Sequence, residues 1–125
     1  MEIVRTQILR AGGEREFEIC AYCFMPDHLH LLVRGATETA QLPGFTKHAK
    51  QLTGYHGKRH TGKNIWQAGS FDRLLKEDED ARAVVAYIVT NPVRAGLVTD
   101  PGEYPYSGSG LCDLPDLLDQ VRWYL

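Results

Sequence analysis

The triplet His28-Leu29-His30 sets two imidazoles two residues apart. On an extended strand that spacing puts both on one face, where together they can ligate a single metal ion. In a chain with five histidines the triplet alone is a weak signal, because paired surface or core histidines make the same pattern. Tyr87 is the second residue of interest. Around it Ala81, Val84, Val85, Ile88 and Val89 form an apolar stripe at helical spacing, and Tyr87 lies about 130° from the centre of that stripe on a helical wheel. Its phenol is therefore placed for exposure. Asn91, four residues on, shares the same flank of the helix. One helical turn then presents a phenolic nucleophile and an amide oxygen able to bind a metal, although a half-exposed packing tyrosine fits the same position.

The cysteines offer a competing arrangement. Cys20-Ala21-Tyr22-Cys23 followed by His28 and His30 has the inventory of a Cys2His2 zinc site. Residues three apart on a strand point to opposite faces, so Cys20 and Cys23 are better read as packing residues. A structural zinc protein stays as a minor alternative.

The elements that must position these side chains follow from periodicity. Phe17 to Met25 alternates Phe17, Ile19, Ala21, Cys23 and Met25 on one face and carries Tyr22 and Phe24 on the other, the pattern of an interior strand covered on both sides. Met25-Pro26-Asp27 supplies turn chemistry, and His28 to Arg34 reads as a second strand, giving an antiparallel hairpin. Leu42, Phe45, Ala49, Leu52 and Tyr55 predict an amphipathic helix from about Gln41 to His56, with Gly57 to Asn64 as a basic loop. A short strand or turn is expected around Ile65-Trp66-Gln67 and Ser70-Phe71-Asp72-Arg73. The acidic run Glu77-Asp78-Glu79-Asp80 suits the start of the Tyr87 helix. Asn91-Pro92 is expected to end or kink that helix, with Gly96 in the turn that follows. Leu114 to Leu125 reads as a short closing helix.

Composition bounds the possibilities. A length of 125 residues suits one domain, and 43% hydrophobic with 24% charged residues indicates a packed core rather than disorder. The net charge of −2 excludes a uniformly basic coat for nucleic acid, but the charge is segregated. Between His28 and Phe71, Arg34, Lys47, Lys50, Lys58, Arg59 and Lys63 face one acid, Glu38. With Tyr55, Trp66 and three further histidines nearby, that stretch suits phosphate contacts and base stacking as well as it suits a solvated helix face. Met1 to Arg5 lacks the apolar core of a signal peptide, and no window approaches a membrane span. The expected address is the cytosol, with reduced thiols and no membrane partner.

The run Ala21-Tyr22-Cys23-Phe24-Met25-Pro26-Asp27-His28-Leu29-His30-Leu31-Leu32-Val33 resembles the His-hydrophobe-His segment of the IS200-like, single-tyrosine transposases, especially their REP-associated branch. Three more matches follow in the family's order: Asn64-Ile65-Trp66-Gln67 with Phe71-Asp72, then Tyr87 to Val98, then Tyr104-Pro105-Tyr106-Ser107. The resemblance implies an α+β HUH endonuclease fold, an antiparallel sheet flanked by helices on a ferredoxin-like core. It implies a nucleic-acid partner, single-stranded DNA often marked by a hairpin, in a prokaryotic, nucleoid-associated setting. By the same resemblance His28, His30 and Asn91 would bind Mg²⁺ or Mn²⁺, and Tyr87 would be the nucleophile that cleaves and rejoins DNA through a 5′-phosphotyrosine. Lys47, Lys50, Lys58, Arg59 and Lys63 are the candidate DNA-binding residues. Related enzymes include dimers and monomers, so a homodimer is one of two expected states. Family members carry a strand before the first helix, whereas Met1 to Arg10 here reads as the helix itself, and the expected domain lacks that strand. The alternative function is a catalytically inactive relative that binds single-stranded or hairpin DNA.

Overall fold

The strand with apolar residues on both faces becomes the middle of the sheet. The computed structural model describes residues 2–26, 28–62 and 80–125. In it β1 (Phe17–Phe24) lies between β2 (Leu29–Gly35) and β3 (Ser107–Gly108) in an antiparallel sheet. Ile19 and every residue from Ala21 to Phe24 are buried, as a strand covered on both faces requires. Tyr22 pairs with Gly108 and Cys23 with Ser107. A Cβ on Gly108 would come within 2.6 Å of the Tyr22 hydroxyl, so this close approach of strand and ring depends on glycine.

Four helices complete the α+β fold: α1 (Glu2–Glu14), α2 (Leu42–Thr61), α3 (Ala81–Arg94) and α4 (Leu114–Gln120). They belong to two compact units, one built from α1, α2 and the adjoining ends of β1 and β2, the other from Ile19–Val33 with α3, β3 and α4. In the first unit α1, which runs four residues beyond its expected end, buries Gln7, Ile8, Ala11 and Gly12. It packs on the face of α2 made by Phe45, Ala49, Thr53 and Gly57. That buried row differs from the expected stripe, and Tyr55 is 57% exposed. The contact follows the i, i+4 ridge, which runs at an angle to the helix axis and turns away from Tyr55 within two turns. The helix also runs through Gly57 to Thr61, which the sequence assigns to a loop. Lys58, Arg59 and His60 in its last turn complement the helix dipole, and Gly62 ends it at φ 76° with its N–H on the Lys58 carbonyl.

In the second unit Ala21 and Cys23 of β1, and Met25 just after it, pack with Val85, Ile88 and Val89 of α3, Tyr104, and Leu117 and Val121 at the C-terminal end. Asp80 caps α3 by accepting the Arg82 N–H at 2.9 Å. Ala81, expected on the apolar stripe, is exposed in the first turn, and Ala86 and Pro92 join the buried face. Pro92 does not stop α3. Its ring is fully buried, and this packing offsets the one N–H bond that proline removes. The helix ends two residues later: Gly96 stands at φ 76°, its N–H on the Val93 carbonyl and the Leu97 N–H on the Pro92 carbonyl, a Schellman ending. The C-terminal segment, without a motif in the sequence, closes this unit. Leu117 and Val121 enter the core, and the Tyr124 hydroxyl donates to the Asp80 carboxylate.

Lys63, the expected strand or turn around Trp66 and Phe71, and the acids Glu77 to Glu79 lie outside the described residues. Among the described residues no helix is long and apolar enough to cross a membrane.

Candidate active site

The hairpin connection delivers His28 to the start of β2 rather than into it. The Met25 N–H donates to the His28 carbonyl at 2.8 Å. One residue earlier, the Phe24 N–H donates to the Tyr106 carbonyl at 2.9 Å and the Tyr104 hydroxyl donates to the Phe24 carbonyl. Tyr104 is buried against the same core. The Tyr104-Pro105-Tyr106-Ser107 motif therefore clasps the end of β1 from which the histidine segment departs.

His28 and His30 share a strand face with Leu32, and Leu32 packs on the core beneath α3. The two imidazoles are thus held on the α3 side of β2. Their Nε2 atoms converge to 3.1 Å, with the rings edge to face at 84°. Two nitrogens bound to one ion at about 2.1 Å and at right angles would stand about 3.0 Å apart, so the pair fits a shared cation. Burial pushes the His30 pKa below the ordinary 6.5, and the positive charges of His28 and Arg94 act in the same direction. That direction favours the neutral imidazole, which is the form that binds metal. From α3, the Asn91 amide reaches to 3.5 Å from His28 Nε2, and a half-turn of that amide presents its oxygen at the same place. Among the described residues no group of three or more His, Cys, Asp or Glu side chains is placed to hold a metal. Two imidazoles and one amide converge here.

The Cys2His2 alternative does not assemble. Cys23 is fully buried with its sulfur 3.7 Å from that of Met25, and burial pushes its thiol pKa up.

Tyr87, one turn before Asn91 on α3, is 58% exposed. The rings of Tyr87 and His30 stand edge to face at 89° with centroids 6.3 Å apart. The Arg94 guanidinium lies 4.0 Å from the centre of the Tyr87 ring. It donates to the Tyr87 carbonyl at 2.6 Å and to the Thr90 hydroxyl, and that hydroxyl donates in turn to the Ala86 carbonyl at 2.7 Å. The structure therefore brings His28, His30, Tyr87 and Asn91 together and adds Arg94, which sequence reasoning passed over. The signal was available in its spacing, seven residues after Tyr87 and three after Asn91, which places all three on one helix flank.

The candidate DNA-binding residues belong to the first unit. Lys47, Lys58 and Arg59 are exposed along α2 and Lys50 is half-buried. Arg59 donates to the Tyr55 hydroxyl at 3.1 Å.

No protein-family model matches the chain. The REP-associated tyrosine transposase of Escherichia coli (strain K12) is 30% identical over 109 residues, covering 85% of this chain and 62% of the relative. Its Haemophilus influenzae counterpart is 30% identical over 106 residues, covering 73% of this chain and 58% of the relative. The chain thus spans about three-fifths of the length of the curated relatives it matches. A solved structure of a REP-associated tyrosine transposase bound to a REP hairpin superposes with a TM-score of 0.70 at 27% identity, over 85% of this chain and 62% of that one. Motif order, sequence identity and fold agree: the chain is similar to the REP-associated tyrosine transposases.

Proposed function

We propose that the chain cleaves and rejoins single-stranded, hairpin-marked DNA through a covalent bond to Tyr87. The observation that carries this reading is the convergence of the His28 and His30 Nε2 atoms to 3.1 Å with Asn91 and the exposed Tyr87 ring beside them. The relatives named as transposases, and the hairpin bound by the structural neighbour, support it.

In this reading the Tyr87 oxygen attacks the scissile phosphorus and gives up its proton to solvent. The bond from phosphorus to the 3′ oxygen breaks, and that oxygen takes up a proton to leave a free 3′-OH. The DNA 5′ phosphate remains esterified to Tyr87. Because one phosphate ester replaces another, a second 3′-OH can reverse the step and join a new strand without ATP. His28, His30 and Asn91 would hold Mg²⁺ or Mn²⁺, which when bound supplies positive charge to the scissile phosphate and orients it. The protein's part is to keep two imidazoles and an amide converged, so that little reorganisation is needed during reaction. Lys47, Lys50, Lys58 and Arg59 would contact DNA phosphates. The enzyme would act in the bacterial cytosol, where its DNA lies.

The test is a denaturing gel of the protein incubated with labelled, hairpin-flanked single-stranded DNA and Mg²⁺. A slow-migrating adduct that Tyr87→Phe eliminates is expected. Binding by folded wild-type protein with no adduct would overturn the enzyme reading and leave a hairpin-binding relative.

A further inference from the structure

Tyr87 presents a difficulty for the function just proposed, on which this inference rests. A nucleophile must hold one orientation, yet the Tyr87 side chain is more than half exposed, and an exposed aromatic ring exchanges rotamers on a fast timescale. Packing in the core does not fix it. We infer that Arg94 is a positioning residue that fixes the Tyr87 ring for attack.

Three features support this assignment. The Arg94 guanidinium is anchored at two points on its own helix, the Tyr87 carbonyl and the Thr90 hydroxyl. A planar group tied by two hydrogen bonds keeps a set plane. The Thr90 hydroxyl is itself committed to the Ala86 carbonyl, so the anchor does not swing freely. On this plane the Tyr87 ring lies 4.0 Å away, within the range of a cation–π contact. The His30 ring stands perpendicular to the Tyr87 ring, centroids 6.3 Å apart. The nucleophile is thus bracketed by the guanidinium and by one of the two histidines that would hold the metal. A cation in the last turn of a helix is also favoured by the helix dipole, but that interaction does not require the guanidinium to stack on Tyr87.

Arg94 is a poor match for a simple phosphate anchor. Two of its donor directions are spent on the helix, and its face is covered by the ring. Lysine at this position keeps the charge and loses both the forked donors and the flat stacking surface.

The test uses the full chain with 3-fluorotyrosine placed at position 87, and reads ¹⁹F spectra without DNA alongside single-turnover adduct formation at saturating hairpin-flanked DNA with Mg²⁺. For Arg94→Gln the fluorine line is expected to shift and broaden. The adduct rate should fall by roughly 10- to 100-fold while the DNA Kd stays within about twofold. Arg94→Lys should recover only a minor part of the rate, and Thr90→Val should fall between wild type and Arg94→Gln. Two results would overturn the inference: an unchanged fluorine line in Arg94→Gln, or a weaker Kd with a flatter salt dependence and an unchanged rate at saturation, which would make Arg94 a phosphate contact. Wild-type protein that forms no adduct would count against the proposed function itself, and the fluorine spectra would still decide whether Arg94 holds the ring.

Discussion

The histidine–tyrosine corner and the basic side of α2 both present polar side chains, but they are controlled to different degrees. His30 stands on β2 with His28 just before it, Tyr87 and Asn91 stand on α3, and Leu32, Cys23, Val85, Ile88 and Val89 pack together in the core that joins these elements. Their mutual distances follow from that packing. Lys47, Lys58 and Arg59 are exposed along one helix, and their positions follow from helix periodicity alone. Bond-making chemistry needs geometry good to fractions of an ångström, which a packed core supplies. Attraction of a phosphate backbone acts over several ångströms and needs only charge of the right sign on an accessible surface.

The largest effects should come from breaking the corner. His28→Ala or His30→Ala, or removal of divalent metal with a chelator, is expected to lower adduct formation by about 100-fold or more, since charge stabilisation at a phosphate is worth several kcal/mol. Single-turnover gels read this directly, and an undiminished rate in chelator would remove the metal from the account. Next comes the scaffold beneath the corner. Gly108→Ala places a methyl against the buried Tyr22 ring and should cost about 1–3 kcal/mol, measured by urea unfolding. A loss of site activity should accompany it, and unchanged stability would show that the β1–β3 contact has slack.

Charge substitutions on α2 should have the opposite profile. Lys47→Ala and Lys58→Ala are each expected to weaken DNA binding similarly across sequences and to reduce the salt slope by about 0.7–0.9, while stability changes by less than about 0.5 kcal/mol. An unchanged slope would mean that DNA follows another surface. The smallest effect is an acid limb. Asp80 has its pKa lowered by the hydrogen bond from Tyr124 and then by the Arg82 N–H. Its stabilising contribution is complete above the ordinary carboxylate value of 3.8 and is lost as pH falls through the lower folded value. Unfolding midpoints from pH 5 to pH 2.5 should show a shallower acid decline in Asp80→Asn than in wild type, and identical profiles would contradict this.

The corner was largely legible in the sequence because its parts obey local rules. Two-residue spacing on a strand and four-residue spacing on a helix put His28 with His30 and Tyr87 with Asn91, and the amphipathic stripes faced β2 and α3 toward a common core. What sequence periodicity did not supply was decided by packing. Tyr55 turned outward because α1 packs along an inclined ridge of α2. Pro92 stayed helical because its ring is buried. Arg94 shares a helix flank with Tyr87 and Asn91, but spacing alone does not show that its guanidinium lies over a ring and bonds a backbone carbonyl. The roles of Tyr104 and the C-terminal segment lie in hydrogen bonds to residues far away in sequence, Phe24 and Asp80, which local patterns do not reveal.

The central claim is that Tyr87 is the atom-bonding residue of a packed corner, and peptide mapping of the protein–DNA adduct tests it most directly. Digestion followed by mass spectrometry should place a single 5′-phosphonucleotide on the peptide containing Tyr87, with no modified peptide from Tyr87→Phe. A phosphonucleotide on Tyr55, Tyr104 or Tyr106, or an adduct that persists in Tyr87→Phe, would contradict it.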